Sequence, residues 1–197
     1  PGPDWKPENG KPGGVWCAQR IPDGEVAVTA NRSRIGKIDL SRTDEFMASP
    51  NVFSLSEELG FRKPGDPFIW HDAYGDPGSR GVCLREWRAL SLAATGLDLK
   101  ATGDPLRDRY PFSVPRGQPF TVERLFALMR DAYQGTEFDI TEHPAFRAGA
   151  KKSPLARPWG PPELFDLLKI KPERAIATPT SGYVFVSQLR SWLPNPV

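Results

Sequence analysis

The sequence predicts an α+β fold built on antiparallel strands. Strand-like runs gather toward the two ends of the chain around tight-turn signals, while helical periodicity occupies the middle. The regular strand–helix alternation of a parallel, wound sheet is missing. In addition, 22 prolines and 18 glycines among 197 residues leave room only for short elements joined by extended surface loops. A chain of this length suffices for one sizeable core, so residues 1–197 are read as a single domain.

Residues 15–21 (VWCAQRI) read as a strand, Pro22-Asp23-Gly24 as a tight turn, and residues 25–30 (EVAVTA) as the returning strand of an antiparallel hairpin. The second strand is almost entirely small or apolar, so helices or another sheet must cover at least one face. Short helical pieces follow Asn31. Ser54-Leu55-Ser56-Glu57 fits a capping box, with Gly60 as the residue just past the helix end. Residues 85–94 predict a second helix, ended by Gly96. Residues 121–133 predict a third, whose Val122, Leu125, Phe126, Met129 and Tyr133 fall on one stripe of core spacing. Residues 161–168 resemble a short helix with proline in its first turn. Residues 174–178 and 183–189 return to strand character around Pro179-Thr180-Ser181-Gly182.

Composition excludes several function classes. Hydrophobic residues at 39% and charged residues at 25% fit a folded globular chain. The net charge is +2 with dispersed basic residues, which gives no stripe for nucleic-acid phosphates. No apolar run approaches the roughly 20 residues that span a bilayer. Cys17 and Cys83 lack metal or redox spacing and are either buried free thiols or one disulfide.

Chemistry-bearing motifs are sparse. His71 and His143 stand in no paired-ligand spacing, and the neighbouring pairs His71-Asp72 and Glu142-His143 read as solvated. There is no nucleophile elbow. Cys17 lies in mid-strand and Cys83 in a loop, with no histidine beside either to lower its pKa. What remains is the strand mouth Thr29-Ala30-Asn31, followed by Arg32 and Arg34. Asn31 can adopt a left-handed turn at a strand end, or its amide can donate to a developing oxyanion. The two guanidinium groups can bind a substrate carboxylate or solvate the rim.

Several blocks then carry a family resemblance: GGVWCAQRIPDGEVAVTANRSRIGKIDL, EFMASPNVFSLSEELG, YPFSVP before FALMRDAYQGTEFDIT, and YVFVSQLRSWLPNP. Together the chain resembles the dipeptidase A family of N-terminal-nucleophile (Ntn) cysteine peptidases, relatives of the secernins. The resemblance implies an αββα sandwich of antiparallel sheets with loop-rich insertions, and a thiol protease that hydrolyses dipeptides and short peptides. A cysteine at the mature N-terminus attacks the carbonyl and its own α-amino group is the base. No cofactor or metal is implied, the partner is the peptide substrate, and homo-oligomerisation and localisation are left open. By this comparison residues 1–197 are an internal part of a longer Ntn-hydrolase domain, without the nucleophile and inactive alone. Asn31 matches the oxyanion-hole asparagine of related enzymes, and Arg32 beside it is read as a contact to the dipeptide carboxylate. Thr180, also read as substrate-binding, stands in the turn TPTSGY, where similar proteins often carry an arginine near the active centre. The alternative is a non-catalytic, secernin-like or peptide-binding protein on the same scaffold.

Overall fold

The computed structural model describes residues 14–94, 96–107 and 109–189. It is of mixed α+β type, with short helices and two-stranded antiparallel ladders. The chain divides into two compact units, Pro1–Gly117 and Gln118–Val197.

In the first unit, strand β1 (Cys17–Gln19) is followed by the expected turn, in which Glu25 N–H donates to the Pro22 carbonyl at 3.1 Å and Gly24 takes φ +80°. The strands flanking that turn do not pair with each other. Strand β2 (Glu25–Val26) pairs with β4 (Val114–Pro115), and β1 pairs with β3 (Phe46–Ala48). Geometry explains the correction. A positive φ only at the third turn position gives a type II turn, whose twist splays its flanking strands instead of closing a two-residue hairpin. The β1 segment still alternates: Val15, Cys17 and Gln19 are half-buried, and Trp16, Ala18 and Arg20 are exposed.

Helix α1 (Ser54–Glu58) starts with Phe53 at its cap position, and the Ser54 hydroxyl donates to the Asn51 carbonyl instead of closing the expected capping box. Its C-terminal end matches expectation: Gly60 has φ +71°, Gly60 N–H reaches the Glu57 carbonyl, and Phe61 N–H reaches that of Ser56. The helical turn α2 (Trp70–Ala73) is held by Trp70 N–H on the Gly36 carbonyl. Gly75, just after it, is required by close approach, because a Cβ there would lie 2.6 Å from the His71 carbonyl oxygen.

Helix α3 (Arg80–Ala93) begins five residues before the predicted start and carries Cys83, which is therefore helical and fully buried. Both cysteines are free thiols. Leu90 and Ala94 pack with Val114, Val26 and Val28, so the helix covers the apolar face of the Glu25–Val28 segment. A second cluster gathers Ile38, Phe46 and Val52 under Phe68, Trp70 and Tyr74.

In the second unit, Thr121 caps α4 (Val122–Met129) by accepting from Arg124 N–H. Its predicted stripe is only partly covered among the described residues: Leu125 and Phe126 are half-buried, Val122 and Met129 are exposed, and Tyr133 is buried beyond the helix end at φ +66°. Strands β5 (Arg147–Ala148) and β6 (Lys151–Lys152) form a small hairpin. Helix α5 (Pro162–Leu167) opens on proline as expected. Phe146, Phe165 and Ile170 form this unit's core. Thr178 and Ser181 close the predicted turn, but residues 174–178 and 183–189 form no strand ladder, and Tyr183, Phe185 and Leu189 are exposed. Two extended segments with no third strand beside them among the described residues make a marginal hairpin. The loop before Gly14 and the SWLPNP block fall outside the described residues.

Candidate functional site

The expected strand over residues 25–30 ends at Val26, so Asn31 lies in a turn five residues past β2, and consecutive residues of α3 hold what the sequence reads as a strand mouth. Arg85 Nη2 donates to Asn31 Oδ1 at 3.0 Å, and the next residue, Glu86, receives both arginines that follow Asn31. Glu86 Oε2 accepts from Arg32 Nε at 2.8 Å, from Arg32 Nη2 at 2.6 Å and from Arg34 Nη1 at 3.1 Å. All three side chains are buried, Glu86 completely. A bare carboxylate there would cost several kcal/mol, of order the effective desolvation of one buried ion, so guanidinium partners are a condition of folding. The polar groups at the strand mouth are thus counterions of a buried helix charge.

The arginines are also tied to backbone. Arg32 Nη1 donates to the Pro77 and Pro105 carbonyls at 3.2 Å, and Arg34 Nη2 donates to those of Tyr110 and Pro111. Burial tends to lower the Arg32 pKa, but the hydrogen bond and charge of Glu86 overcome it and hold the group above its ordinary value. Arg34 is pushed below its ordinary value, chiefly by burial and against the pull of Glu86. Arg34 Nε and Glu86 Oε1 are buried with no hydrogen-bond partner among the described residues. Among the described residues, Glu86 is thus shared by two guanidinium groups.

Asn31 itself is exposed, with φ +66°. That conformation is tolerated by asparagine and costly for β-branched residues. The turn is fixed from behind by the Thr29 hydroxyl, which donates to the Arg32 carbonyl at 2.6 Å.

Beside this mouth a cleft of about 280 Å³ opens, with Arg32, Ser33 and Arg34 on one wall and His71, Asp72, Asp76 and Arg109 among its other residues. Arg109 Nη1 meets His71 Nδ1 at 2.9 Å, and both terminal nitrogens reach Asp72 Oδ1 at 3.3 Å. Asp76 Oδ1 accepts from Gly78 N–H at 2.6 Å. The cleft therefore lines both charge signs. Among the described residues no group of three or more His, Cys, Asp or Glu converges as a metal site.

Of the two chain neighbours Asn31 and Arg32, Arg32 is among the residues that line the cleft. Thr180 lies in the second unit, exposed, with its hydroxyl 3.0 Å from that of Thr178, next to a groove lined by Trp159, Phe165, Ile170 and Pro179. Sequence reasoning missed Glu86, Arg85 and Arg109. For Glu86 a signal existed: Cys83, Glu86, Leu90 and Ala93 follow the i, i+3, i+7, i+10 spacing of one helical face, and a carboxylate in mid-stripe marks a buried, partnered charge. Neither cysteine has the setting of a nucleophile. Cys83 is fully buried, and burial pushes the Cys17 thiol above its ordinary value.

Comparison with known proteins adds two findings. The family model of peptidase family C69 matches residues 5–197. A probable dipeptidase of Salmonella dublin is 24% identical over 189 residues, an alignment that covers 91% of this chain and 41% of that relative. The chain thus spans less than half the length of the curated relative it matches.

Proposed function

Because the chain belongs to peptidase family C69, we propose that it supplies the oxyanion-hole side of a cysteine-type dipeptidase. The observation that carries this reading is the family match along nearly the whole chain. On it, residues 1–197 are part of a longer Ntn-hydrolase domain with the αββα sandwich of that class. The nucleophile is a cysteine at the mature N-terminus, distinct from Cys17 and Cys83.

In the proposed reaction the α-amino group of that cysteine takes the thiol proton as sulfur attacks the peptide carbonyl. An α-amine with a pKa near 8 titrates close to working pH, so it can accept this proton and return it to the leaving amine. The carbonyl oxygen becomes an anion and receives a hydrogen bond from the Asn31 side-chain amide. Water then cleaves the thioester and restores the thiol. Each donor of this kind is worth about 3 kcal/mol, or 10²–10³ in kcat.

The substrate proposal rests on charge. A dipeptide is a zwitterion, and the cleft is lined both by guanidinium groups and by the Asp72 and Asp76 carboxylates. Arg32 enters as the substrate-carboxylate residue because it lines this cleft. Thr180 enters as a substrate-binding residue on the family resemblance alone; within the second unit its hydroxyl lies 3.0 Å from that of Thr178.

The test uses the full-length gene product, its mature N-terminal residue identified by sequencing, assayed on dipeptides beside Asn31→Ala. The expected outcome is a mature N-terminal cysteine and a loss of about 10²–10³ in kcat for Asn31→Ala. An enzyme with that cysteine whose Asn31→Ala variant keeps full kcat would refute the oxyanion assignment. Dipeptide hydrolysis by the purified 197-residue chain would remove the external nucleophile altogether.

A further inference from the structure

We propose that Arg85 is a positioning residue that sets the orientation of the Asn31 amide; this rests on the oxyanion reading above. A carboxamide has one accepting end and one donating end, and only the donating end can stabilise an anion. The Asn31 side chain is exposed at its turn, so packing alone does not choose between the two orientations. Arginine is a donor at every nitrogen. The Arg85 Nη2 contact at 3.0 Å therefore fixes Oδ1 as the atom facing α3 and leaves Nδ2 on the other edge of the amide. The flipped amide would set donor against donor at that distance.

Arg85 is itself held. Its Nε donates to the Gly81 carbonyl at 2.9 Å, one turn back along α3, so the guanidinium plane is tied to the helix that also carries Glu86. Two successive residues of one helix thus grip two successive residues of the turn: Arg85 holds Asn31, and Glu86 holds Arg32. The main chain of Asn31 is set by its left-handed conformation and the Thr29–Arg32 hydrogen bond. The rotation of its amide is the freedom left, and Arg85 removes it. Asn31 is the group that meets the reacting oxygen, and Arg85 acts only through it.

The test is steady-state kinetics of the full-length enzyme with dipeptide substrate for Asn31→Ala, Arg85→Met, Arg85→Lys and the double variant Asn31→Ala/Arg85→Met. Losing a charge-assisted hydrogen bond that orients the donor is expected to lower kcat about tenfold in Arg85→Met. KM should stay within roughly twofold, since the bond acts in the transition state. Arg85→Lys keeps a charged donor and should recover most of the loss, with thermal unfolding of each variant as the folding control. The double variant should be no slower than Asn31→Ala alone, because the amide that Arg85 orients is gone. If Asn31→Ala is slow but Arg85→Met matches the parent, the positioning role is wrong and the oxyanion reading stands. A double variant slower than Asn31→Ala by the full Arg85→Met factor also overturns it, since independent effects add. If Asn31→Ala keeps kcat, the oxyanion reading falls and the role of Arg85 falls with it.

Discussion

Removing the carboxylate of Glu86 should destabilise the first unit more than most single substitutions. Glu86 is fully buried, and the Arg32 and Arg34 side chains are 6% and 8% exposed, so its loss removes from the interior the carboxylate that both guanidinium groups share. Deleting one partner of a buried ion pair costs about 3–5 kcal/mol. The backbone acceptors moderate this, because Arg32 keeps the Pro77 and Pro105 carbonyls and Arg34 keeps those of Tyr110 and Pro111. Glu86→Gln retains shape and one acceptor and belongs near the lower end, about 3 kcal/mol; Glu86→Leu removes every acceptor and belongs near about 5 kcal/mol. At roughly 2–4 °C per kcal/mol for a chain of this size, the Gln variant should melt about 6–12 °C below the parent. Urea unfolding of parent and variants measures the difference directly, provided the slope m is unchanged. A Glu86→Gln variant within about 1 kcal/mol of the parent would show that the arginines do not depend on this charge.

Two further outcomes test other parts of the chain. Burial raises the Cys17 thiol above its ordinary value and encloses Cys83 completely, so native alkylation should label Cys17 more slowly than a free thiol, faster with rising pH, and Cys83 only after unfolding; rapid native labelling of Cys83 would contradict its place in α3. Hydrogen bonds from Lys152 and Arg147 hold the Glu142 carboxyl below the usual carboxylate range. Its contribution to the β5–β6 hairpin is therefore present above the unfolded value near pH 4.3 and lost as pH falls through the lower folded value. Hydrogen-exchange protection of the Ser153 amide, which donates to the Phe146 carbonyl at 2.8 Å, should drop on that acidification, and protection that does not change would remove Glu142 from the hairpin's support.

Local features were legible where neighbours in the chain decide them. The turn at Pro22-Asp23-Gly24, the Gly60 helix end and the proline-opened α5 depend on residues within a few positions, and all three form. Strand pairing was not legible. The run from Val15 to Ala30 reads as one hairpin, yet β1 pairs with β3 and β2 with β4, because the type II turn parts the strands and partners far along the chain take them up. The stripe of α4 was legible as a pattern but not as burial, since period alone does not say what covers a face.

The sequence by itself determined the α+β class, the short elements imposed by its prolines and glycines, the family to which its blocks point, and the singular Asn31-Arg32-Ser33-Arg34 mouth. Only the tertiary structure decided what that mouth faces. Arg32 and Glu86 are 54 positions apart, and no local rule of propensity or periodicity links them. A buried carboxylate must find its cations wherever folding brings them, so the reason for the two arginines after Asn31 lay on a distant helix.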